Sequence, residues 1–326
     1  MFKAFFFSLS IIFFGLIIGY IFQLLEQRDI IRLPISLEEF RKLLQKAALL
    51  FFIPISSIGA IWIIKVEDVR IALLPFLAIF AILIGGVLGL IAAKLLKLNR
   101  KKSGSMFACG SFTNITSIGG IICYLFLSEK GYALFSLYKL FEIVAYFAIG
   151  FPISKLFSSK FTIKQNIISR LQTVFTDIFV IVALVSMAIG AIFNLSGIER
   201  PEFYKTINAI FIPLGTVILL ISIGLSMKFG KVRNYINECL AISVIKFILV
   251  PLIVSATAFL LGYGKIEDGL PLKVVIILSS MPVAFTALIP PSIYDLDLDL
   301  ANSCWLVTTL SMALILPLLS FIISLI

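Results

Sequence analysis

The residues from Ala4 to Leu25 contain no charged side chain. A helix of that length spans about 30 Å, the thickness of a bilayer's hydrocarbon core. Hydrocarbon offers the backbone no partner, so such a segment has to satisfy its own amides and carbonyls as a helix. The pattern recurs along the chain. Windows of about 20 residues predict about ten spans, near 4–25, 44–64, 71–95, 105–127, 132–156, 172–195, 203–226, 236–262, 272–294 and 300–325. Apolar residues make up 61% of the 326 and charged residues 13%, where soluble domains hold roughly 45–50% and 25%. The fold class is therefore an all-α, multi-pass membrane protein, with the lipid bilayer as its main partner. The connectors are too short for a soluble domain, so function has to reside in the membrane part. The first run has no small-residue cleavage site and reads as a retained helix. Ser36 and Glu39 form a capping box ahead of the second span, which predicts that this helix begins early, on the membrane surface.

Basic residues orient the chain. The connectors after the first, third, fifth and seventh spans hold sixteen Lys and Arg, and the opposite side holds eight. This bias predicts odd-numbered connectors in the cytoplasm and both termini outside, in a cell (inner or plasma) membrane. It also accounts for the net charge of +10 without nucleic acid as a partner. The connector after the ninth span departs from the trend, with Asp295, Asp297 and Asp299 and no base. Acids count little in the rule, and these three read as solvated.

Several chemistries are excluded. There is no histidine, which removes the commonest general base and zinc ligand and with it the rhomboid and zinc proteases. Cys109, Cys123, Cys239 and Cys304 lie far apart in apolar surroundings and read as small hydrophobes, neither a disulfide framework nor a metal site. A single acidic cluster does not make the paired Asp-rich segments of a prenyltransferase, and no phosphate-binding GxxxxGK[ST] loop is present. The chain is read as no enzyme, with no cofactor. Gly85 and Gly89 form a GxxxG pair that predicts close helix packing.

The two halves resemble each other. "IGYIFQL" (Ile18 to Leu24) in the first span returns as "IGAIFNL" (Ile189 to Leu195) in the sixth. "FIP" stands at Phe52 to Pro54 in the second span and at Phe211 to Pro213 in the seventh. Pro152 and Pro317 fall in the fifth and tenth. Residues 1–158 and 159–326 then form two five-helix repeats, and because five is odd the second is inverted in the membrane. Inverted repeats with interrupted helices are a mark of secondary transporters. Two interruptions fit. The ninth span contains "SSMPVAFTALIPPSIYDLDLD", residues 279–299, in which Pro282, Pro290 and Pro291 each lack a helical amide. Its repeat partner, the fourth span, holds Asn114, Thr116 and Ser117 ahead of Gly119-Gly120, a combination that loosens a helix. Two broken helices crossing at matching places would offer free amides, carbonyls and half-helix N-termini to an anion.

The run "MPVAFTALIPPSIYDLDLDLANSCWLVTTLSMALILPL" (Met281 to Leu318) resembles the C-terminal part of the auxin efflux carrier family of transporters. Gly110 to Asn114 followed by Gly119 is similar to that family's fourth helix, and Leu49 to Ile63 to its second. The resemblance implies ten helices, a kinship with bile-acid/sodium symporters, a scaffold and a crossover transport domain that move relative to each other, and small organic acids as substrates. The family's proline about seven positions after the asparagine is here Ile121, with Gly119-Gly120 as the alternative source of the break.

Intramembrane charges complete the candidate set. Lys246 is the deepest, ten residues into the eighth span. It reads as a cation for an anionic substrate, as an occupant of the place where related carriers hold sodium, or as a side chain that snorkels to the surface. Lys139 and Glu142 share a helix face as an ion pair or as a titrating carboxylate. Asp177 begins the sixth span and suits that helix N-terminus. The expected function is secondary active transport of small organic anions (carboxylates) by alternating access. Thr113, Asn114, Thr116 and Ser117 would meet Pro282, Thr286, Pro290 and Ser292 at the substrate site. A passive channel or a membrane enzyme using the same cavity is the alternative. Coupling to sodium or protons and assembly as a homodimer stay open.

Overall fold

The computed structural model describes residues 2–31, 33–64, 68–158, 176, 178–227, 229 and 231–326. Asp177 lies outside them. The described chain is helical, and its one β feature is an isolated antiparallel bridge between Thr113 and Val283. Eight helical stretches among the described residues are long and apolar enough to cross a membrane: Phe7–Gln27, Leu37–Trp62, Val69–Leu95, Ile115–Leu156, Ile178–Leu195, Phe203–Gly224, Val232–Leu260 and Leu298–Leu325. The difference from ten has two local causes. Ile115–Leu156 is a 42-residue stretch, about twice what one crossing needs, and it breaks helical geometry at Ser128 (φ 61°, ψ −162°). The other cause is that residues 270–293 do not form one continuous helix. They comprise Leu270–Ser279, a 3-10 turn at Phe285–Leu288 and a short helix at Ile289–Ile293.

Local sequence explains the irregularities. The capping box forms, with Glu39 N donating to Ser36 Oγ at 3.2 Å and Ser36 N to Glu39 Oε2 at 3.0 Å. The helix it starts, Leu37–Ala47, runs through a π-turn at Ala48–Phe52 into Ile53–Trp62. Pro54, Pro152 and Pro251 each stand at the beginning of a helix that directly follows a π-turn, at Ala48–Phe52, Tyr146–Gly150 and Ile245–Leu249. A proline removes one amide and its ring crowds the carbonyl four residues back. One widened turn relieves that crowding without ending the helix.

The chain forms two compact units, each built from both sequence halves. The first comprises residues 1–67, 117–136 and 178–228. In it Phe2–Gln27 packs along Phe203–Gly224, and Ile178–Leu195 along Ile53–Trp62. A β-carbon on Gly19 would collide with the Ile221 carbonyl, and Gly190 lies against Ile58 and Ile61. Phe52 and Phe211, from the two FIP motifs, meet edge to face with ring centroids 5.1 Å apart. At one end Asn194 Nδ2 donates to the Trp62 carbonyl at 2.8 Å, and Trp62 Nε1 to the Ile198 carbonyl at 2.8 Å. Arg200 pairs with Glu129 and donates to the Gly59 carbonyl at 2.9 Å. Arg41 reaches Ser226 Oγ at 3.1 Å.

The second unit comprises residues 68–116, 137–177 and 229–326. Its helices Leu74–Leu95 and Arg100–Ser111 touch backbone to backbone, because a β-carbon on Gly85 or Gly110 would collide with the other's carbonyl. Gly89 lies equally close to the Met106 carbonyl, so the GxxxG pair is a packing motif. The acidic connector is paired as well as exposed. Lys101 reaches Asp295 at 2.7 Å and Lys231 reaches Asp299 at 2.6 Å, while Asp297 accepts from Leu300 N at 2.9 Å and starts the last helix. Elsewhere in the unit Arg70 donates to the Leu261 carbonyl at 3.2 Å, and Tyr263 Oη to the Arg70 carbonyl at 2.6 Å. Arg70 also hydrogen-bonds the half-buried Asp68 carboxyl and holds it at about 2.

Gly110→Val is expected to destabilise the protein by about 1–3 kcal/mol, the usual cost of overpacking, because the new methyls would meet backbone that cannot yield. Thermal denaturation in detergent measures this. An unchanged melting temperature would show that the two helices separate freely.

Candidate functional site

The two interruptions lie side by side in the second unit. The first is Phe112–Asn114, between the helix Arg100–Ser111 and the π-turn Ile115–Gly119. The second is residues 280–284, between Leu270–Ser279 and Phe285–Leu288. Their backbones pair antiparallel, with Asn114 N donating to the Pro282 carbonyl at 2.8 Å and Ala284 N to the Phe112 carbonyl at 3.0 Å. Side chains take the remaining two amides. Thr113 N donates to Tyr146 Oη at 3.1 Å and Val283 N to Thr308 Oγ1 at 3.2 Å. The expectation of free amides for a ligand is therefore corrected. In a medium that costs several kcal/mol per unsatisfied group, the breaks satisfy each other.

Of the three prolines only Pro282 lies within a break. Pro290 and Pro291 occupy the first turn of Ile289–Ile293, where amides have no helical partner anyway. Ser292 is exposed on that short helix. Gly119 and Gly120 are helical, so the first break rests on Phe112–Asn114 and not on the glycines. Ile121 is buried within the following helix. Ser117 belongs to the first unit.

A polar network surrounds Thr113. Lys246 Nζ donates to Thr113 Oγ1 at 2.8 Å. Tyr146 Oη also lies 3.2 Å from the Thr113 carbonyl and 2.8 Å from Glu142 Oε1. Thr116 Oγ1 donates to Glu142 Oε2 at 3.2 Å, and Lys139 interacts electrostatically with the same carboxylate. Thr113, Asn114, Glu142 and Lys246 are 7%, 5%, 6% and 1% exposed. Phe112 packs against Tyr146 with the rings tilted and centroids 4.3 Å apart, over the bare Gly150.

The two charges are treated differently. Glu142 accepts two hydrogen bonds beside a cation. Among the described residues Lys246 has one hydrogen-bond partner, a neutral hydroxyl, and forms no ion pair. A lysine that carries its proton has three N–H groups to give, so those that Thr113 does not take could be offered to an anion. Sequence reasoning brought Thr113, Asn114, Thr116, Pro282, Lys139, Glu142 and Lys246 to this network or its edge. It missed Tyr146 and Thr308. The signal for Tyr146 is Pro152, whose π-turn begins at that tyrosine. Pro251 stands in the same relation to the π-turn that carries Lys246.

Tyr146→Phe keeps the ring and removes the hydroxyl that holds Thr113 and Glu142. Stability is expected to fall by about 1–3 kcal/mol, the cost of unsatisfied buried groups, read as a lower melting temperature. A variant as stable as the parent would show that the break does not need this anchor.

No family model matches the chain. Two archaeal proteins are similar to it. An uncharacterized transporter of Methanothermobacter thermautotrophicus is 28% identical over 134 residues, 41% of this chain and 43% of that protein. Another, of Methanocaldococcus jannaschii, is 25% identical over 249 residues, 74% of this chain and 76% of that protein. The chain thus aligns with less than half of the first relative's length and about three quarters of the second's. Transporter-named relatives and several membrane-length helices together support membrane transport.

Proposed function

We propose that this protein is a secondary active transporter of small organic anions, working by alternating access, with the substrate held at the paired helix breaks. The observation that carries the reading is Lys246, a buried ammonium whose one hydrogen-bond partner among the described residues is Thr113 in the first break. A carboxylate would complete it.

The ten-span, inverted-repeat architecture is part of the proposal. In support, Phe52 and Phe211, equivalent in the two halves, touch each other, as residues on a pseudo-twofold axis do. Thr113 and Val283, one from each interrupted span, also pair. The first span packs on the seventh and the sixth on the second, a pairing that is unchanged when the halves are exchanged. Connectors also meet by parity. Those after the third, seventh and ninth spans share ion pairs, and those after the second and eighth share Arg70 contacts.

Counterflow in proteoliposomes is the test. Internal unlabelled carboxylate is expected to accelerate uptake of labelled carboxylate, and Lys246→Met to reduce it at least tenfold. Because the lysine is buried with a single neutral partner among the described residues, the same variant is expected to melt at an equal or higher temperature. Retained counterflow with a lowered melting temperature would make Lys246 structural and defeat the reading. Flux without trans-stimulation would indicate a channel.

Topology has its own check, since all four native cysteines are buried. Cysteines placed singly at Lys101 and Asp295 are expected to react with an impermeant maleimide from the cytoplasmic side. Those at Glu199 and Lys265 are expected to react from the opposite side. Labelling of both sets from one side would refute the ten-span order.

A further inference from the structure

Three buried polar atoms close to the second break have no hydrogen-bond partner among the described residues: Trp305 Nε1, Thr309 Oγ1 and Thr286 Oγ1. Trp305 and Thr309 are 0% and 1% exposed. They stand four residues apart on Leu298–Leu325 and so share a helix face. Phe285, next to Thr286, meets the Trp305 ring edge to face at 5.6 Å. Between Trp305 and Thr309, Thr308 accepts the Val283 amide of the break itself. Buried polar groups are nearly always hydrogen-bonded, and three unmet ones around one break mark a place where a bound molecule supplies the partners. The indole N–H narrows the chemistry, because it donates and cannot accept. A bare cation has nothing to offer it, whereas a hydroxyl or carbonyl oxygen does.

We propose that Trp305, Thr309 and Thr286 form a second subsite for a hydrogen-bond-accepting oxygen carried by the substrate beside its carboxylate. The inference rests on the organic-anion reading, in which Lys246 holds the carboxylate. It predicts selectivity for acids with a second oxygen, such as 2-hydroxy or 2-oxo acids, over plain alkyl carboxylates.

The chain has two tryptophans, and Trp62, the other one, lies in the first unit. In the full-length Trp62→Phe protein, Trp305 is therefore the only indole fluorophore. Lactate and pyruvate are expected to shift its emission saturably. Propionate is expected to raise the melting temperature through Lys246 and to leave the emission unchanged. In counterflow, Trp305→Phe and Thr309→Val are each expected to lower the preference for lactate over propionate by about tenfold, roughly one hydrogen bond. Thr309→Val guards against loss of folding in the tryptophan variant. If transport continues, with no emission change and the lactate preference intact in both variants, the subsite is refuted and the anion reading stands. If no acid binds or moves in the parent protein, both fall together.

Discussion

Everything at the centre of this protein depends on how a membrane helix can stop and restart. A helix hides its backbone from hydrocarbon, and a break exposes four or more groups at once, each costing several kcal/mol. Here two breaks lie side by side and exchange backbone hydrogen bonds, Asn114 N with the Pro282 carbonyl and Ala284 N with the Phe112 carbonyl. Neither segment could be interrupted without the other. The amides left over, at Thr113 and Val283, are taken by Tyr146 and Thr308. Hence, in the proposed site, the chemistry left for a ligand falls to side chains, a narrower and more selective set of donors than open helix ends would provide.

The prolines act mainly at a distance. Pro152 and Pro251 each sit just beyond the π-turn that bears a network residue, Tyr146 or Lys246. A widened turn rotates the side chains before it relative to those after it. Proline placement therefore sets where the hydroxyl and the ammonium point. The effect is local in sequence and decisive in three dimensions.

This explains how much could be read in advance. Span positions followed from apolar run length, and the existence of two interruptions followed from Pro282 and the polar run at Thr113 to Ser117. The exact site of the first break did not follow, because it depends on an antiparallel pairing with residues 170 positions away, which Gly119-Gly120 cannot announce. Pro290 and Ser292 misled for a related reason. A proline in a helix start and one in a helix interior look alike until the neighbouring element is known. Trp305 and Thr308 were hidden in an ordinary apolar helix. Only the partner they do or do not meet distinguishes them from packing residues.

The contrast between Glu142 and Lys246 separates structure from function most sharply. Both are ionisable groups buried in apolar surroundings, where a charge costs roughly 2.5–3.5 kcal/mol on insertion scales. Glu142 is compensated by Tyr146, Thr116 and Lys139, so its presence is accounted for by the fold that it helps to hold. Lys246 is met by a single neutral hydroxyl. Methionine would fill the same space at less cost in stability, so stability alone gives no reason for an ammonium there. A buried amine that the resting fold does not need is what the proposed function calls for, a group kept for an anion that arrives and leaves.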